Sequence, residues 1–560
     1  MKKMYFLAAT LLVLLFAACS KDQVNLDDDD GVVTSLTGDA WVSISISNKS
    51  QGRALNDPNQ QTGTEAETKV GSVRAIFFDG DGKTTEDLIL SDAETGKPGQ
   101  STGNAGKAFK VPAKSKSILI ITNPVDNLPA KGSFVDFTAF NKALNEVDVT
   151  KVSTANKFMM TNAKGNLEPS NSWGDPVDLV LYNSAEKAET KPLAIRVDRV
   201  VAKVRVRLEA DQIADRAGEE IPNVGNGASI YDPEWTLNVR NKWYFPVSER
   251  TYSWLETNYG CESPFDQYEL GSYRIDPNFD VQVDPTTNKA GYDAQYHYYY
   301  DADAAIANKI PWKSAKANNT TVEYCLENTQ TAEHNMWAYT TQVLFKVIFS
   351  PNELKLPNSD DYYDDVNDKV DNGALAPGED WIMVDDSYYT WDLLMKYIEV
   401  EMESKYYDEN ADQINTPIAN SLNNYLDSIG LTKVTIPAYD ENSTPEAQIA
   451  GVMSGFVALK GDVKAHGAAR YGVVSYYKGG VSYYPIMIKH DDTEEVDNDF
   501  GEFGVVRNSV YDIRISKVYN PGYPTIPDPN PEIPDESGNI YLSVRIDINP
   551  WTWYYQVEEL

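Results

Sequence analysis

Residues 540–549 read IYLSVRIDIN, a stretch in which large apolar and polar side chains alternate strictly. A period of two places every second side chain on one face of an extended chain, so the stretch predicts a β-strand with one apolar face. Pro550 interrupts the alternation, which resumes to the end of the chain. The alternating apolar residues predicted for the buried face of this C-terminal segment (540–560) are Ile540, Leu542, Val544, Ile546, Ile548, Trp551, Trp553, Tyr555 and Val557.

The segment before this strand, residues 520–539, has the sequence NPGYPTIPDPNPEIPDESGN. Proline lacks the backbone N–H that a central strand needs, and proline-rich segments are extended and stiff. We therefore expect a spacer that separates the C-terminal strand from the rest of the chain.

A strand near the N-terminus has the same pattern. In WVSISIS (41–47), Val42, Ile44 and Ile46 lie on one face, at the spacing that Val544–Ile548 repeats. Two strands with the same apolar register can compete for one groove, because a shift of one residue turns every apolar side chain away from the core. The pattern also fits a simpler arrangement, in which each strand completes its own domain.

The N-terminal strand leads into the polar loop NKSQGRALNDPNQ (48–60). Exposed polar loops are preferred sites of proteolytic cleavage. A trypsin-like cut after Arg53 would remove the strand before it and leave Ala54 as the new N-terminus. A cut at Lys49, or a plain surface loop that is never cut, are the alternatives.

The first residues, MKKMYFLAATLLVLLFAACS, indicate export. A basic start precedes an apolar stretch, Tyr5–Phe16, that is too short to span a bilayer. The small residues before Cys19 resemble a bacterial lipobox, in which the cysteine is lipidated and becomes the mature N-terminus. Residues 1–19 are therefore predicted to be a lipoprotein signal, and 20–53 an acidic tether followed by the removable strand.

Composition limits the partners and the source of stability. The formal net charge is -35, and nucleic-acid binding needs a basic surface that this chain lacks. Of the three cysteines, Cys261 and Cys325 are left for at most one disulfide, so stability must come from apolar cores. Whether these two cysteines pair stays open.

Short alternating runs separated by Gly, Pro, Asn and Asp dominate the chain, which predicts a mostly β fold. Helical patterns are few: 137–147, 391–406 and a segment that Thr416 caps and Gly430 ends. We expect two β-sandwiches with helical inserts, an N-terminal domain over 54–193 and a C-terminal domain over 194–519. Lys478–Gly480 is predicted to be the turn of a β-hairpin.

No pattern of catalytic or metal-ligating residues is evident. The four histidines, His297, His334, His466 and His490, are far apart, and phosphate-binding and nucleophile motifs are absent from the sequence. We therefore predict no enzyme, no catalytic residue and no cofactor. The acidic run with Asp364, Asp365, Asp368 and Asp371 lacks EF-hand spacing. Two alternatives remain for it, a calcium-binding loop and a solvated loop.

Several stretches, taken in chain order, resemble the type V pilins (fimbrillins), and within them the minor-fimbrium shaft pilin family. They are the lipobox ending at Cys19, GRALN (52–56), FMMTN (158–162), VDRVVAKVRV (197–206), EYCLENTQ (323–330), TTQVLFKVIFSP (340–351), YYKGGVSYYPI (476–486), GVVRNSVYDIRISKV (504–518), the proline-rich spacer and INPWTWYYQVEEL (548–560). Together they extend over nearly the whole chain, with both special ends present.

The resemblance implies two transthyretin-like β-sandwiches in an outer-membrane lipoprotein precursor with a transient lipid anchor. It implies that an arginine-specific surface protease cuts after Arg53, and that the donor strand, 540–560, then fills the groove of the next subunit. The implied partners are further copies of the chain and the tip and anchor pilins. A donating tail argues against a tip role and a removable first strand against an anchor role, so we expect a shaft subunit for adhesion and colonisation.

Two other functions fit parts of the sequence. The 35 tyrosines form clusters that suit either strand surfaces or sugar binding, which allows a monomeric glycan-binding surface lipoprotein. An exported glycoside hydrolase has only scattered carboxylates in its favour.

Overall fold

The computed structural model describes residues 31–47, 61–96, 105–143, 145–162, 179–209, 228–247, 249–250, 273–300, 309–352, 354, 375–406, 416–438, 440, 442–490, 499–535 and 542–552. Several predicted positions lie outside these residues: Cys19, Lys49, Arg53, Ala54, Cys261, the acidic run with Asp364, Asp365, Asp368 and Asp371, Ile540, Trp553, Tyr555 and Val557.

The N-terminal half consists of short strands and single-turn helices. The strands are β1 (Asp39–Val42), β2 (Ile44–Ser47), β3 (Gln61–Thr62), β4 (Val73–Phe78), β5 (Thr84–Leu90), β6 (Phe109–Pro112), β7 (Ser117–Thr122), β8 (Asn145–Glu146), β9 (Met160–Thr161), β10 (Leu193–Arg196) and β11 (Asp198–Arg199). The helices are α1 (Glu65–Thr68), α2 (Asp92–Thr95), α3 (Phe137–Asn141), α4 (Val149–Val152) and α5 (Ala185–Thr190).

Except for β3 and β8, which pair with strands of the C-terminal half, these strands form two layers. A five-stranded sheet with the order β11-β9-β7-β4-β5 faces a layer in which β1 pairs with β6 and β2 pairs with β10. Strand β4 is buried throughout because its two faces enter different cores. Ala75 and Phe77 contact the core beneath β1 and β2, whereas Ile76 and Phe78 contact a core shared with helices and with the C-terminal half. The layer that contains β1 and β2 therefore covers one face of the central sheet.

The C-terminal half has longer strands. They are β12 (Val201–Leu208), β13 (Ala228–Asn238), β14 (Arg240–Asn241), β15 (Trp243–Tyr244), β16 (Glu249–Arg250), β17 (Arg274–Ile275), β18 (Tyr296–His297), β19 (Lys313–Ser314), β20 (Glu323–Leu326), β21 (Gln342–Pro351), β22 (Trp381–Val384), β23 (Ser387–Tyr389), β24 (Ala469–Tyr471), β25 (Val474–Tyr477), β26 (Val481–Met487), β27 (Ser509–Val518) and β28 (Leu542–Thr552). The helices are α6 (Lys289–Gln295), α7 (Trp391–Tyr406), α8 (Pro417–Ser428), α9 (Pro445–Ala458) and α10 (Lys460–His466), with 3-10 turns at Ala332–His334 and Lys478–Gly480.

A second sandwich forms the body of this half. The sheet β20-β12-β27-β28-β3 packs against the sheet β19-β13-β21-β26. The alternating burial of β12 puts Val204 and Val206 inside this core, where they meet Trp235 of β13 and Phe345 of β21. The predicted mostly β class with few helices is confirmed.

A helical insert lies between β21 and β26. Helices α7 to α10 pack on the small sheet β23-β22-β25-β24 around a core of their own. Helix α8 begins as predicted, since the Thr416 hydroxyl accepts a hydrogen bond from the Ala419 N–H at 3.2 Å. Helix α7 has the predicted bounds, but α9 and α10 were not predicted from the sequence.

Two local predictions are wrong. The 478–480 turn does not close a hairpin, because β25 pairs with β22 and β24 while β26 pairs with β21. The Tyr477 ring stacks on Trp381 at 3.9 Å, which holds β25 in the insert, and Gly479 and Gly480 take positive φ as the chain changes sheet. The predicted helix over 137–147 ends at Asn141, after which Asn145–Glu146 pairs with β15.

The two halves meet near residue 200. Strands β10 and β11 still pair with strands of the N-terminal half, and β12 begins the C-terminal sheet at Val201. Among the described residues, no helix combines the length and apolar character needed to cross a membrane.

Candidate functional site: the N-terminal and C-terminal strands

The N-terminal strand lies in the middle of its layer. Strands β1 and β2 are nearly continuous, separated only by Ser43. Their inward side chains, Val42, Ile44 and Ile46 together with Ala40, are at most 1% exposed. They pack in the core that contains Phe77 and Ile120 of the central sheet. The three residues predicted to form the apolar face therefore do so.

Backbone hydrogen bonds hold this strand on both edges. On one edge β1 pairs antiparallel with β6, and the Gly106 N–H extends the ladder to the Ile44 carbonyl at 3.0 Å. On the other edge Trp41 and Tyr182 exchange two hydrogen bonds of 2.7 and 2.8 Å, and β2 pairs parallel with β10. Removing β1 and β2 would leave a groove with an unpaired edge on each side. We call this space the N-terminal groove.

Ser43 is buried although it points away from the core. Its side chain is 1% exposed, and its hydroxyl donates a hydrogen bond to the Gly106 carbonyl at 2.7 Å. Gly106 is in turn pressed against the α2 turn, since a Cβ atom there would lie 1.8 Å from the Glu94 carbonyl oxygen. The side chain at this position is therefore enclosed and faces the Gly106 carbonyl.

The C-terminal strand lies in its own domain. Strand β28 pairs antiparallel with β27, with Leu542 opposite Val518 at one end and Pro550 opposite Ser509 at the other. Leu542 is buried in the C-terminal core, and Val544 and Ile546 are half-buried against it. The strand thus completes its own sandwich here, which was the simpler of the two arrangements considered from the sequence.

Strand β28 has fewer partners than the N-terminal strand. Among the described residues its outer edge is paired only at Trp551 and Thr552, which lie beside Gln61–Thr62. On the inner edge a register shift interrupts the ladder between Ile515 and Lys517. The C-terminal strand is therefore held less firmly than β1 and β2.

The proline-rich spacer lies along the C-terminal half. Tyr523 and Tyr483 exchange two backbone hydrogen bonds of 2.8 Å, and the Trp337 N–H donates to Ile533 at 3.0 Å. Asp535 is buried and accepts a hydrogen bond from the Thr340 hydroxyl at 2.5 Å. The spacer is thus attached to the domain as far as Asp535, and β28 can leave without breaking these contacts.

A buried ion pair ties the segment after the Arg53 loop to the C-terminal half. The Glu67 carboxylate accepts hydrogen bonds from Lys203 Nζ at 2.8 Å and from the Tyr324 hydroxyl at 2.7 Å. Burial raises the pKa of Glu67, but the Lys203 charge and the hydrogen bonds outweigh it, so the pKa lies below its ordinary value. This contact joins α1 to β12 and β20.

Glu67→Gln is expected to lower the free energy of unfolding by about 1–3 kcal/mol at neutral pH, because a buried charged partner is lost. A carboxyl whose pKa is lowered on folding stabilises the protein above its unfolded pKa, and that stabilisation is lost as the pH falls through the folded pKa. Thermal unfolding followed by circular dichroism should therefore show a lower melting temperature for Glu67→Gln than for the unchanged protein, and this difference should shrink in acid. The exposed Glu65→Gln is the matched control, and a difference that grows in acid would contradict the assignment.

The histidine, cysteine and tyrosine candidates described next are buried in the protein interior. His490 is buried, with Nδ1 2.7 Å from the Tyr511 hydroxyl, and no group of metal-ligating side chains is found in the part of the chain that the structure describes. Cys325 is a free buried thiol, and burial raises its pKa to about 12. Tyr296, from one of the tyrosine clusters, is buried and packs on Tyr292.

Two models of known protein families match the chain, one near each end. Residues 40–185 match the family model of the major fimbrial subunit protein FimA. Residues 475–557 match that of the C-terminal part of fimbrillin, the major fimbrial subunit protein type IV. The first stretch contains most of the N-terminal strand and the second contains β28. A search of curated proteins finds no match.

Solved structures of fimbrial proteins also align with the chain. A fimbrillin (FimA) from Porphyromonas gingivalis W83 shares 11% identity, with 92% of this chain and 99% of that chain covered and a TM-score of 0.37. The tip fimbrial protein Mfa3 from Porphyromonas gingivalis shares 12% identity over 92% of this chain and 100% of that chain, with a TM-score of 0.35. The anchor protein Mfa2 of the same organism shares 13% identity over 38% and 62%, with a TM-score of 0.16.

The two family matches define a structural subunit of cell-surface fimbriae rather than an enzyme. Both ends of the chain thus match models of the fimbrillins, the type V pilins. The matching models describe major fimbrial subunits, so the narrower assignment to the minor-fimbrium shaft pilins stays a prediction.

Proposed function

We propose that this fimbrial subunit polymerises by donor-strand exchange after proteolysis at Arg53. The observation that carries the proposal is the position of β1 and β2, which fill the middle of a layer immediately before the Arg53 loop. A cut in that loop would separate the strand from the domain that it completes. The mature subunit would begin at Ala54.

The emptied N-terminal groove would bind a replacement strongly. Burial of Val42, Ile44 and Ile46 contributes about 1.5–3 kcal/mol each, or roughly 5–9 kcal/mol together, before the cost of ordering is subtracted. The two unpaired edges add backbone hydrogen bonds to any strand that enters. Addition of a strand to exposed sheet edges is a known mode of protein association.

Residues 540–560 of a second copy are the proposed replacement. They alternate as the lost strand does, and β28 is held along one edge only for most of its described length. The described contacts of the spacer, which extend to Asp535, do not involve β28, so the strand would leave without breaking them. The apolar side chains that it removes from its own core enter the core of the neighbour.

The remaining steps of the proposal rest on the sequence and the family. Cys19 would carry the lipid that holds the precursor at the outer membrane, and an arginine-specific surface protease would make the cut. Growth would continue from subunit to subunit, with tip and anchor pilins at the ends of the fibre. The fibre would serve in adhesion.

The N-terminal sequence and intact mass of protein sheared from the cell surface test this proposal. We expect a start at Ala54, because the strand before it must leave before a neighbour can bind. A lipidated start at Cys19 would mean that β1 and β2 stay in place and would overturn the exchange. A start at Gln51, Gly52 or Ser50 would move the cut to Lys49 or its surroundings and would overturn the role of Arg53.

A further inference from the structure

We infer the register of the exchange: Leu542, Val544 and Ile546 of a second copy take the places of Val42, Ile44 and Ile46, and Ser543 takes the place of Ser43. The incoming strand then runs in the same direction as the strand it replaces. This inference rests on the proposed function, and it names the interaction between the groove and its partner residue by residue.

The apolar alternation of residues 540–548 allows three such registers. The first sets Val544, Ile546 and Ile548 into the three inward sites, and the shifted register sets Leu542, Val544 and Ile546 there. The third would put the large Tyr541 on Ser43, which is 1% exposed, and is set aside for that reason.

The first register repeats Val42, Ile44 and Ile46 residue for residue, whereas the shifted register puts Leu542 on Val42 and Val544 on Ile44 at the same total number of carbon atoms. Volume-conserving exchanges of this kind usually cost less than about 1.5 kcal/mol in a core. The inward side chains therefore favour the first register only slightly.

The surroundings of Ser43 distinguish between the first and the shifted register. In the first register Arg545 would occupy this position, where Ser43 is 1% exposed and its hydroxyl lies 2.7 Å from the Gly106 carbonyl. Burying a guanidinium in a site that encloses a serine is strongly unfavourable. In the shifted register Ser543 occupies it and can donate the same hydrogen bond to Gly106.

The neighbouring positions agree with the shifted register. Arg545 falls on Ser45, which is half-exposed, so that its guanidinium can reach solvent. Counting along the sequence, Tyr541 falls on Trp41, an aromatic residue on an aromatic residue. Ser43 thus acts as a positioning residue whose counterpart in the partner is Ser543.

Cysteine pairs measure this register directly. Ala194 is exposed and lies beside Ser45 in the β2–β10 ladder, within the range of a disulfide between adjacent strands. We expect Ala194→Cys with Arg545→Cys to give cross-linked chains in assembled fibres on non-reducing denaturing gels. Ala194→Cys with Asp547→Cys is the matched control, because it reports the other register and should not cross-link. The single-cysteine variants reveal any background from Cys261 and Cys325.

Charge at the buried site gives an independent test. Ser543→Arg is expected to lower the yield of fibres roughly 100-fold or more, since it forces a guanidinium against Gly106. The control Arg545→Ser should assemble like the unchanged chain. Thermal unfolding of the monomers shows whether either change disturbs β28 in its own domain. Normal assembly of a folded Ser543→Arg variant would overturn the register.

The outcomes separate this inference from the proposed function. Cross-linking through Asp547 alone would overturn the register and leave donor-strand exchange standing. Fibres that form with neither cross-link would overturn the register, and fibres that still form after deletion of residues 540–560 would overturn donor-strand exchange as well.

Discussion

Fibres are expected to be absent when residues 540–560 are deleted, because no segment remains to fill the N-terminal groove of the next subunit. The shortened chain should still fold, although it loses the contacts of Leu542, Val544 and Ile546 with the C-terminal core. Its melting temperature should therefore fall, while cleavage at Arg53 continues. Electron microscopy and the ladder of SDS-resistant oligomers measure the effect.

A peptide of residues 540–560 is the control for this deletion. Added to cut, shortened subunits, it should occupy the groove and raise their melting temperature without restoring fibres, because each subunit still lacks a tail to donate. Long fibres from the shortened chain would show that another segment connects the subunits, and the donor assignment would be wrong.

Arg53→Ala is expected to hold the chain as an uncut precursor that does not polymerise. The reason is the pairing of β1 and β2 on both edges: while they remain covalently attached, a strand from another molecule has no free edge to pair with. Their local concentration also exceeds that of any free competitor. Intact mass and the oligomer ladder measure the block.

Lys49→Ala is the matched control for this change, since it removes the other basic residue of the same loop. That variant should be cut and should assemble normally. If Arg53→Ala assembles and Lys49→Ala does not, the processing site is at Lys49. If both variants assemble, cleavage in this loop is not needed and the proposed trigger is wrong.

Much of the fold could be predicted because it depends on local patterns. The alternation of WVSISIS identified the buried face of β1 and β2, and a cap with a glycine stop located α8 within two residues of its observed end. These signals need only neighbouring residues, since strand and helix periods are set by backbone geometry. The mostly β class followed for the same reason.

The burial of Ser43 could not be predicted from local patterns. Its sequence context marks it as an outward, polar strand residue, yet it is buried and bonded to Gly106, which is distant in the chain. The hairpin expected around Gly479 and Gly480 failed in the same way, because two flanking strands joined different sheets. Both outcomes depend on packing between residues that are far apart in the chain, and the local period of a sequence carries no information about such packing.

The sequence by itself determined that this chain has two ends with matching alternating strands, a polar loop with two basic residues after the first and a proline-rich segment before the second. Only the tertiary structure decided that the first strand is paired on both edges, that β28 closes its own domain, and that the spacer is attached as far as Asp535. The physical reason is that a strand's period is a property of its own residues. Its partners depend on which edges and cores the rest of the chain leaves available.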